Sequence, residues 1–124
     1  MENLKRILII EDDDLLRNLY AEMFRKENFE VQEAADGFRG EALIREGKFD
    51  LILLDIVVPE KDGLEILRSL KNDEPRVQNG SIIIISNLGQ DKMIQKGLAL
   101  GANGYLIKSH FRPEQVVSEV QKFL

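Results

Sequence analysis

The sequence predicts an α/β fold: a doubly wound parallel sheet of five strands with helices on both faces. Three observations carry this. The runs Ile7-Leu8-Ile9-Ile10, Leu51-Ile52-Leu53-Leu54 and Ile82-Ile83-Ile84-Ile85 show no polar–apolar alternation, which marks strands buried on both faces. Each strand-like run is followed by a segment with helical spacing, five times over. No hairpin signal joins any two strands. Parallel pairing needs crossovers of this size, and they are right-handed almost without exception.

In chain order, the first strand covers Arg6-Ile7-Leu8-Ile9-Ile10 and is ended by four acids, Glu11-Asp12-Asp13-Asp14. Leu16, Leu19, Tyr20, Met23 and Phe24 then recur at helix spacing. The later acids suit the positive end of that helix, and one of them caps it. Residues 29–33 alternate enough for a second, more exposed strand. Asp36-Gly37 is a turn and a helix start, although Gly40 inside that helix costs about 1 kcal/mol relative to Ala. Residues 51–54 form the third strand, with Asp55 at its end. Val58 is turned away from helix by Pro59. Asp62-Gly63 leads into a helix through Leu64, Ile66, Leu67 and Leu70, and residues 72–80 read as a loop. Residues 81–86 are the fourth strand. Asp91 is the expected N-cap of a helix burying Met93, Ile94 and Leu98, which Gly101 stops. Residues 104–108 form the fifth strand. Pro113 opens the last helix, with Val116, Val117, Val120 and Leu124 on one face.

At 124 residues the chain is expected to be a single domain over 1–124, and 44% apolar composition suits a globular core. If the native chain ends at Leu124, no second domain carries an output. With 22 acids against 17 bases and a formal charge of −5, no direct nucleic-acid binding is expected, since that needs clustered Lys and Arg. Without cysteine there are neither disulfides nor thiolate metal sites. No apolar stretch has membrane-spanning length and no signal-peptide region opens the chain, so a cytoplasmic protein without membrane partners is expected.

In open parallel sheets the carboxyl ends of the strands form the ligand crevice. Glu11 and Asp12 stand at the end of the first strand, Asp55 of the third, Ser86 of the fourth and Lys108 of the fifth. If the first and third strands are neighbours, three carboxylates converge, and they cannot all stay ionised in a dry site. A bound cation or proton uptake would relieve them. Oxygen donors without His or Cys favour a hard divalent ion, Mg²⁺ before Ca²⁺. Lys108 then offers a point charge to phosphate oxygens and Ser86 a hydroxyl. Asp55 becomes a candidate nucleophile for a phosphoryl group.

The order of these pieces resembles the receiver domain of two-component response regulators over essentially the full chain. The resemblance rests on an apolar strand then Glu11-Asp12, an apolar strand then Asp55 with Pro59 and Gly63 behind it, an apolar strand then Ser86, and Gly101-Ala102-Asn103-Gly104-Tyr105-Leu106-Ile107-Lys108. It implies the flavodoxin-like strand order 2-1-3-4-5. It implies that Asp55 accepts phosphate from a sensor histidine kinase. Asp12 and Asp55 would bind Mg²⁺, with Glu11 close by through water and the Val57 backbone carbonyl as a further ligand. Lys108 and Ser86 would hold the phosphoryl oxygens. Ser86 and Tyr105 would form the switch, which changes the face of the fourth helix, fifth strand and fifth helix toward a downstream protein that the sequence leaves unnamed. Such a module catalyses only its own phosphorylation and dephosphorylation.

The chain departs from the family pattern in three respects. Asn87 stands where a small residue is usual and narrows access to the phosphoryl site. Val57 and Leu88 flank the site where some members carry polar residues that place the attacking water, so slow loss of phosphate is expected. Ser109 replaces the usual proline after the lysine. A cis bond before a non-proline residue costs about 2.5–4 kcal/mol, so a trans bond, or a strained cis one, is expected there.

Other functions fit less well. A phosphatase of the haloacid dehalogenase type places a second acid two residues after the nucleophile, where this chain has Val57. A flavin binder of flavodoxin type needs a hydroxyl-rich loop where four acids stand. A receiver-like module without phosphorylation would not need all the pocket residues. Asp13 and Asp14 read as helix capping alone, and His110, the one histidine, as ordinary surface.

Overall fold

The computed structural model describes residues 4–72 and 78–124. Five strands alternate with five helices: β1 Arg6–Ile10, α1 Asp14–Lys26, β2 Glu30–Ala34, α2 Gly37–Glu46, β3 Leu51–Asp55, α3 Gly63–Asn72, β4 Ser81–Ser86, α4 Asp91–Ala99, β5 Gly104–Ile107 and α5 Pro113–Val120. The strands form one parallel sheet in the order β2-β1-β3-β4-β5. This is the expected flavodoxin-like arrangement.

The missing alternation in the sequence has a direct cause. Side chains of a strand point to opposite faces in turn, and both faces here are covered. Ile7, Ile9, Leu51, Leu53, Ile83 and Ile85 pack with Tyr20 and Phe24 of α1 and Val116, Val117 and Val120 of α5. Their neighbours Leu8, Ile10, Ile52, Leu54 and Ile84 pack with Leu43 and Ile44 of α2 and Ile66 and Leu67 of α3, and Met93 of α4 packs against this cluster. All of β3 is buried.

Helix starts follow the expected chemistry with one exception. Asp13 accepts from Leu16 N (3.1 Å), Asp36 from Arg39 N (2.8 Å) and Asp62 from Glu65 N (2.9 Å). The exception is α4. Its N-cap is Gln90, whose side chain accepts from Asn87 N at 2.8 Å, and Asp91 is the first helical residue. There Asp91 still meets the positive end of the helix.

Element bounds differ from expectation in four places. The second strand starts at Glu30, because Phe29 closes α1 instead: its N–H donates to Phe24 O and its ring meets that of Phe24 edge-on at 5.8 Å. Lys108 lies outside β5, because the ladder ends where Ser86, the last residue of β4, pairs with Ile107. Lys108 instead opens a 3₁₀ turn, Lys108–His110. Leu124 is not on the α5 face, since α5 ends at Val120 and a 3₁₀ turn, Gln121–Phe123, follows. Asn72 closes α3 rather than opening a loop, and residues 73–77 of that expected loop lie outside the described residues.

The glycines of α2 mark where this helix meets the sheet. A Cβ on Gly40 would fall 2.7 Å from Ile10 Cδ1, so its helix cost is offset by close packing on β1. At Gly37 a Cβ would fall 1.5 Å from the backbone oxygen of Lys61. Gly37→Ala must therefore push α2 off the chain that follows β3. It should lower stability by about 1–3 kcal/mol or more, read as a lower urea midpoint at unchanged m-value.

Candidate functional site

Strand order builds the site. With β1 and β3 adjacent, the chain turns opposite ways from these two strands, and the crevice opens at their carboxyl ends. Glu11 follows β1 and is held there by its N–H to Ala34 O at 3.0 Å. Asp55 ends β3, and its Oδ1 accepts from Val57 N at 3.0 Å. Ser86 ends β4. Lys108 leaves β5 and reaches back across the sheet edge.

Glu11, Asp55 and Ser86 are the three buried polar side chains among the described residues, at 1%, 4% and 0% exposure. Asp12 stands exposed beside them. One carboxylate oxygen from each of Glu11, Asp12 and Asp55 lies within 4.8 Å of the others. This is the convergence expected from the sequence. Lys108 Nζ sits 2.7 Å from Asp55 Oδ2 and 2.7 Å from Glu11 Oε2, so the lysine is an internal counter-ion to both acids. That role was not foreseen, because the sequence shows strand ends but not the reach of a side chain across β4.

The charges do not balance. Burial pushes the Glu11 carboxyl up to about 7, aided by the nearby Asp55 charge, against the pull of the Lys108 hydrogen bond. Burial alone would lower Lys108. Its hydrogen bonds to Asp55 and Glu11 outweigh that and raise it. Glu11 is thus both inclined to hold a proton and partly neutralised by the Lys108 ammonium.

The Ser86 hydroxyl is fully buried and has no hydrogen-bond partner among the described residues. A buried hydroxyl without a partner costs about 1–3 kcal/mol. A ligand oxygen arriving between Ser86, Lys108 and Asp55 would recover that cost. The donor set fits a small hard cation as well: oxygen ligands only, one of them exposed to solvent, and more acid than the single lysine neutralises.

Tyr105 lies on β5 with its side chain 48% exposed. It borders an open groove with Leu88, Ile94, Ile107 and His110. Val57, two residues after Asp55, and Leu88, two residues after Ser86, are 45% and 70% exposed.

Arg17 also belongs to this region and had not been singled out. Its guanidinium donates to the Glu11 carbonyl at 2.9 Å and pairs with Asp14 (2.8 Å) and Glu33 (3.4 Å). It fixes the main chain that carries both early acids. Its place one turn into α1, beside the acidic run, was the available signal.

Among the described residues no helix is long and apolar enough to cross a membrane. The family model for the response regulator receiver domain matches residues 7–121. The chain is 34% identical over 119 residues to the DNA-binding dual master transcriptional regulator RpaA of Synechocystis sp., covering 96% of this chain and 48% of that protein. It is 32% identical over 118 residues to the transcriptional regulatory protein SrrA of Staphylococcus aureus, covering 95% and 47%. The chain therefore spans about half the length of these relatives. Among solved structures, a CheY-like receiver domain protein from Methanospirillum hungatei superposes with a TM-score of 0.83 at 28% identity, covering 97% of this chain and 93% of that one. The chemotaxis response regulator CheY4 of Vibrio cholerae gives 0.85 at 25% identity, covering 98% and 100%. A matched model over nearly the whole chain, the shared strand order and the acids gathered at the β1–β3 crevice lead to one conclusion: the chain belongs to the response regulator receiver domain family of two-component signalling.

Proposed function

We propose that this chain is a phosphoryl switch in which Asp55 accepts phosphate from the phosphohistidine of a sensor kinase. The observation that carries the reading is the buried cluster of Asp55, Glu11 and Lys108 beside an unpartnered Ser86 hydroxyl. An Asp55 carboxylate oxygen attacks phosphorus, an O–P bond forms, and the N–P bond to the histidine breaks. Lys108 exchanges a carboxylate partner for phosphoryl oxygens. Ser86 donates its free hydroxyl to another.

Glu11, Asp12, Asp55 and the Val57 carbonyl are the residues that would hold Mg²⁺. When bound, the ion offsets the negative charge that accumulates on carboxylates and phosphoryl oxygens. Movement of Ser86 toward the phosphoryl group favours an inward Tyr105, and phosphorylation shifts the population between two arrangements of the α4–β5–α5 face. The groove beside Tyr105 is where a downstream protein would sense the change. RpaA and SrrA are named as transcriptional regulators and are about twice as long, so an output of that kind would draw on sequence outside the span matched here.

The test is intact mass after treatment with acetyl phosphate. One phosphate in Mg²⁺ and none in excess chelator supports the proposal; uptake that is indifferent to the chelator sinks the metal assignment.

A second expectation concerns lifetime. Val57 and Leu88 present apolar surface where an attacking water would need a polar partner, and Asn87 adds bulk beside it. Phosphorylated protein, freed of donor, should lose its phosphate slowly. A half-life of seconds without a phosphatase counts against this account of the two side chains.

A further inference from the structure

The loop behind Asp55 is held by a half-buried ion pair that lies outside the acid cluster. Lys61 Nζ contacts Glu41 Oε1 of α2 at 2.5 Å and donates to Ser69 Oγ of α3 at 2.8 Å. Arg45 Nε holds the other Glu41 oxygen at 2.9 Å. The Lys61 and Glu41 side chains are only 20% and 15% exposed, and the pair ties the loop to α2 through Glu41 and to α3 through Ser69. A charged pair here is costly to desolvate and is weak evidence for added stability. Its geometry suggests another use.

The main chain around Lys61 is tightly determined. The carbonyl of Pro59 accepts from Gly37 N (3.0 Å) and Lys61 N (2.8 Å), and Gly63 N donates to Ile56 O at 2.9 Å. Glu60 is held with φ at 74°, a left-handed conformation that costs energy for a residue with a Cβ. At the other end of the same short loop, Val57 N donates to Asp55 Oδ1. That bond decides which way the Asp55 carboxylate faces and leaves Oδ2 for Lys108.

We propose that Lys61 and Glu41 are positioning residues for Asp55. By pinning the loop to α2 and α3 they hold the Val57 N–H against the acceptor carboxylate, and so set the geometry on which phosphoryl acceptance depends. Neither side chain touches the reacting atoms. The consequence for phosphorylation rests on the function proposed above; the consequence for the Val57 hydrogen bond does not.

The test uses Glu41→Gln, Lys61→Met and the apolar double variant Glu41→Leu/Lys61→Met in the full chain. The double variant guards against misfolding, since matched apolar residues replace buried ion pairs at little or no loss of stability. Amide hydrogen exchange without metal reads the clamp itself. The Val57 N–H should exchange about tenfold faster or more in all three variants, while the Ile9 N–H in β1, a strand paired on both sides, keeps its wild-type protection. Mg²⁺ dissociation constants should rise about tenfold, in the range seen when outer partners of a metal site are removed. Wild-type Val57 exchange in the variants overturns the inference, as does a double variant that restores both exchange and Mg²⁺ affinity, because packing alone would then suffice. Failure of the wild-type chain to bind Mg²⁺ or take up phosphate would instead strike the proposed function, with the exchange result still deciding the role of the clamp.

Discussion

Asp55→Asn should take up no phosphate under conditions that load the wild-type chain. The substitution keeps the size of the side chain and its hydrogen bond from Val57 N, but an amide oxygen is a poor nucleophile and the product would not persist. The fold should be retained. Asp55 is one of two acids sharing one lysine, so removing its charge leaves Glu11 and Lys108 as a balanced pair. Asp55 also raises the Glu11 carboxyl, so Glu11 should ionise at lower pH in the variant. Mg²⁺ should bind more weakly yet measurably, because Glu11 and Asp12 remain. Intact mass with acetyl phosphate and Mg²⁺ reads the first expectation, and calorimetric titration the second. Phosphate uptake by the variant equal to wild type would place the acceptor on another acid. Complete loss of fold would mean that the charge of Asp55, rather than its chemistry, is what the structure needs.

Much of this architecture could be read from the residues because burial on both faces leaves a plain mark. The runs in β1, β3 and β4 are apolar at every position, and each position does meet a helix layer. Asp13, Asp36 and Asp62 announced their helices through capping chemistry that depends on neighbours in sequence. What sequence could not supply was whatever depends on neighbours in space. Phe29 packs back onto the end of α1 rather than opening β2, with its ring against Phe24. Lys108 leaves the strand because β4 has ended beside it. Gly40 looked like a weak point of α2 until Ile10 filled the space its Cβ would need.

The same division runs through the site. Strand ends placed Glu11, Asp12, Asp55, Ser86 and Lys108 on one rim, a consequence of topology that an ordered list of breakers can foretell. The bridging of Glu11 and Asp55 by one ammonium depends on a lysine spanning the width of β4, and no spacing in the chain encodes that. The Lys61–Glu41 pair is further from view. The two residues are separated by a strand and a turn, and each alone would read as solvated surface.

The uneven charge count of the site leads to the second large effect. Glu11→Gln should make the metal-free protein more stable at pH 8 and less responsive to Mg²⁺. In the folded chain the Glu11 carboxyl titrates at about 7 against 4.5 when free. Between those values the folded state holds a proton that the unfolded state has released, so stability falls as pH rises through this window. Below 4.5 both states are protonated and nothing is lost; above 7 the whole cost is present. The gap corresponds to on the order of 3 kcal/mol. Glutamine carries no charge at any pH and leaves Lys108 paired with Asp55 alone. Urea midpoints in chelator should therefore nearly coincide for the two proteins at pH 4.5, and the variant should lead at pH 8. Saturating Mg²⁺ should narrow or reverse that lead, because a ligand at a hundred times its dissociation constant stabilises the fold that binds it by about 2.7 kcal/mol, and the wild type binds better. A variant no more stable than wild type at pH 8 in chelator would show that Lys108 already neutralises Glu11 in full. The acid cluster would then have no unmet demand for a cation, and the case for Mg²⁺ at this crevice would lose its electrostatic ground.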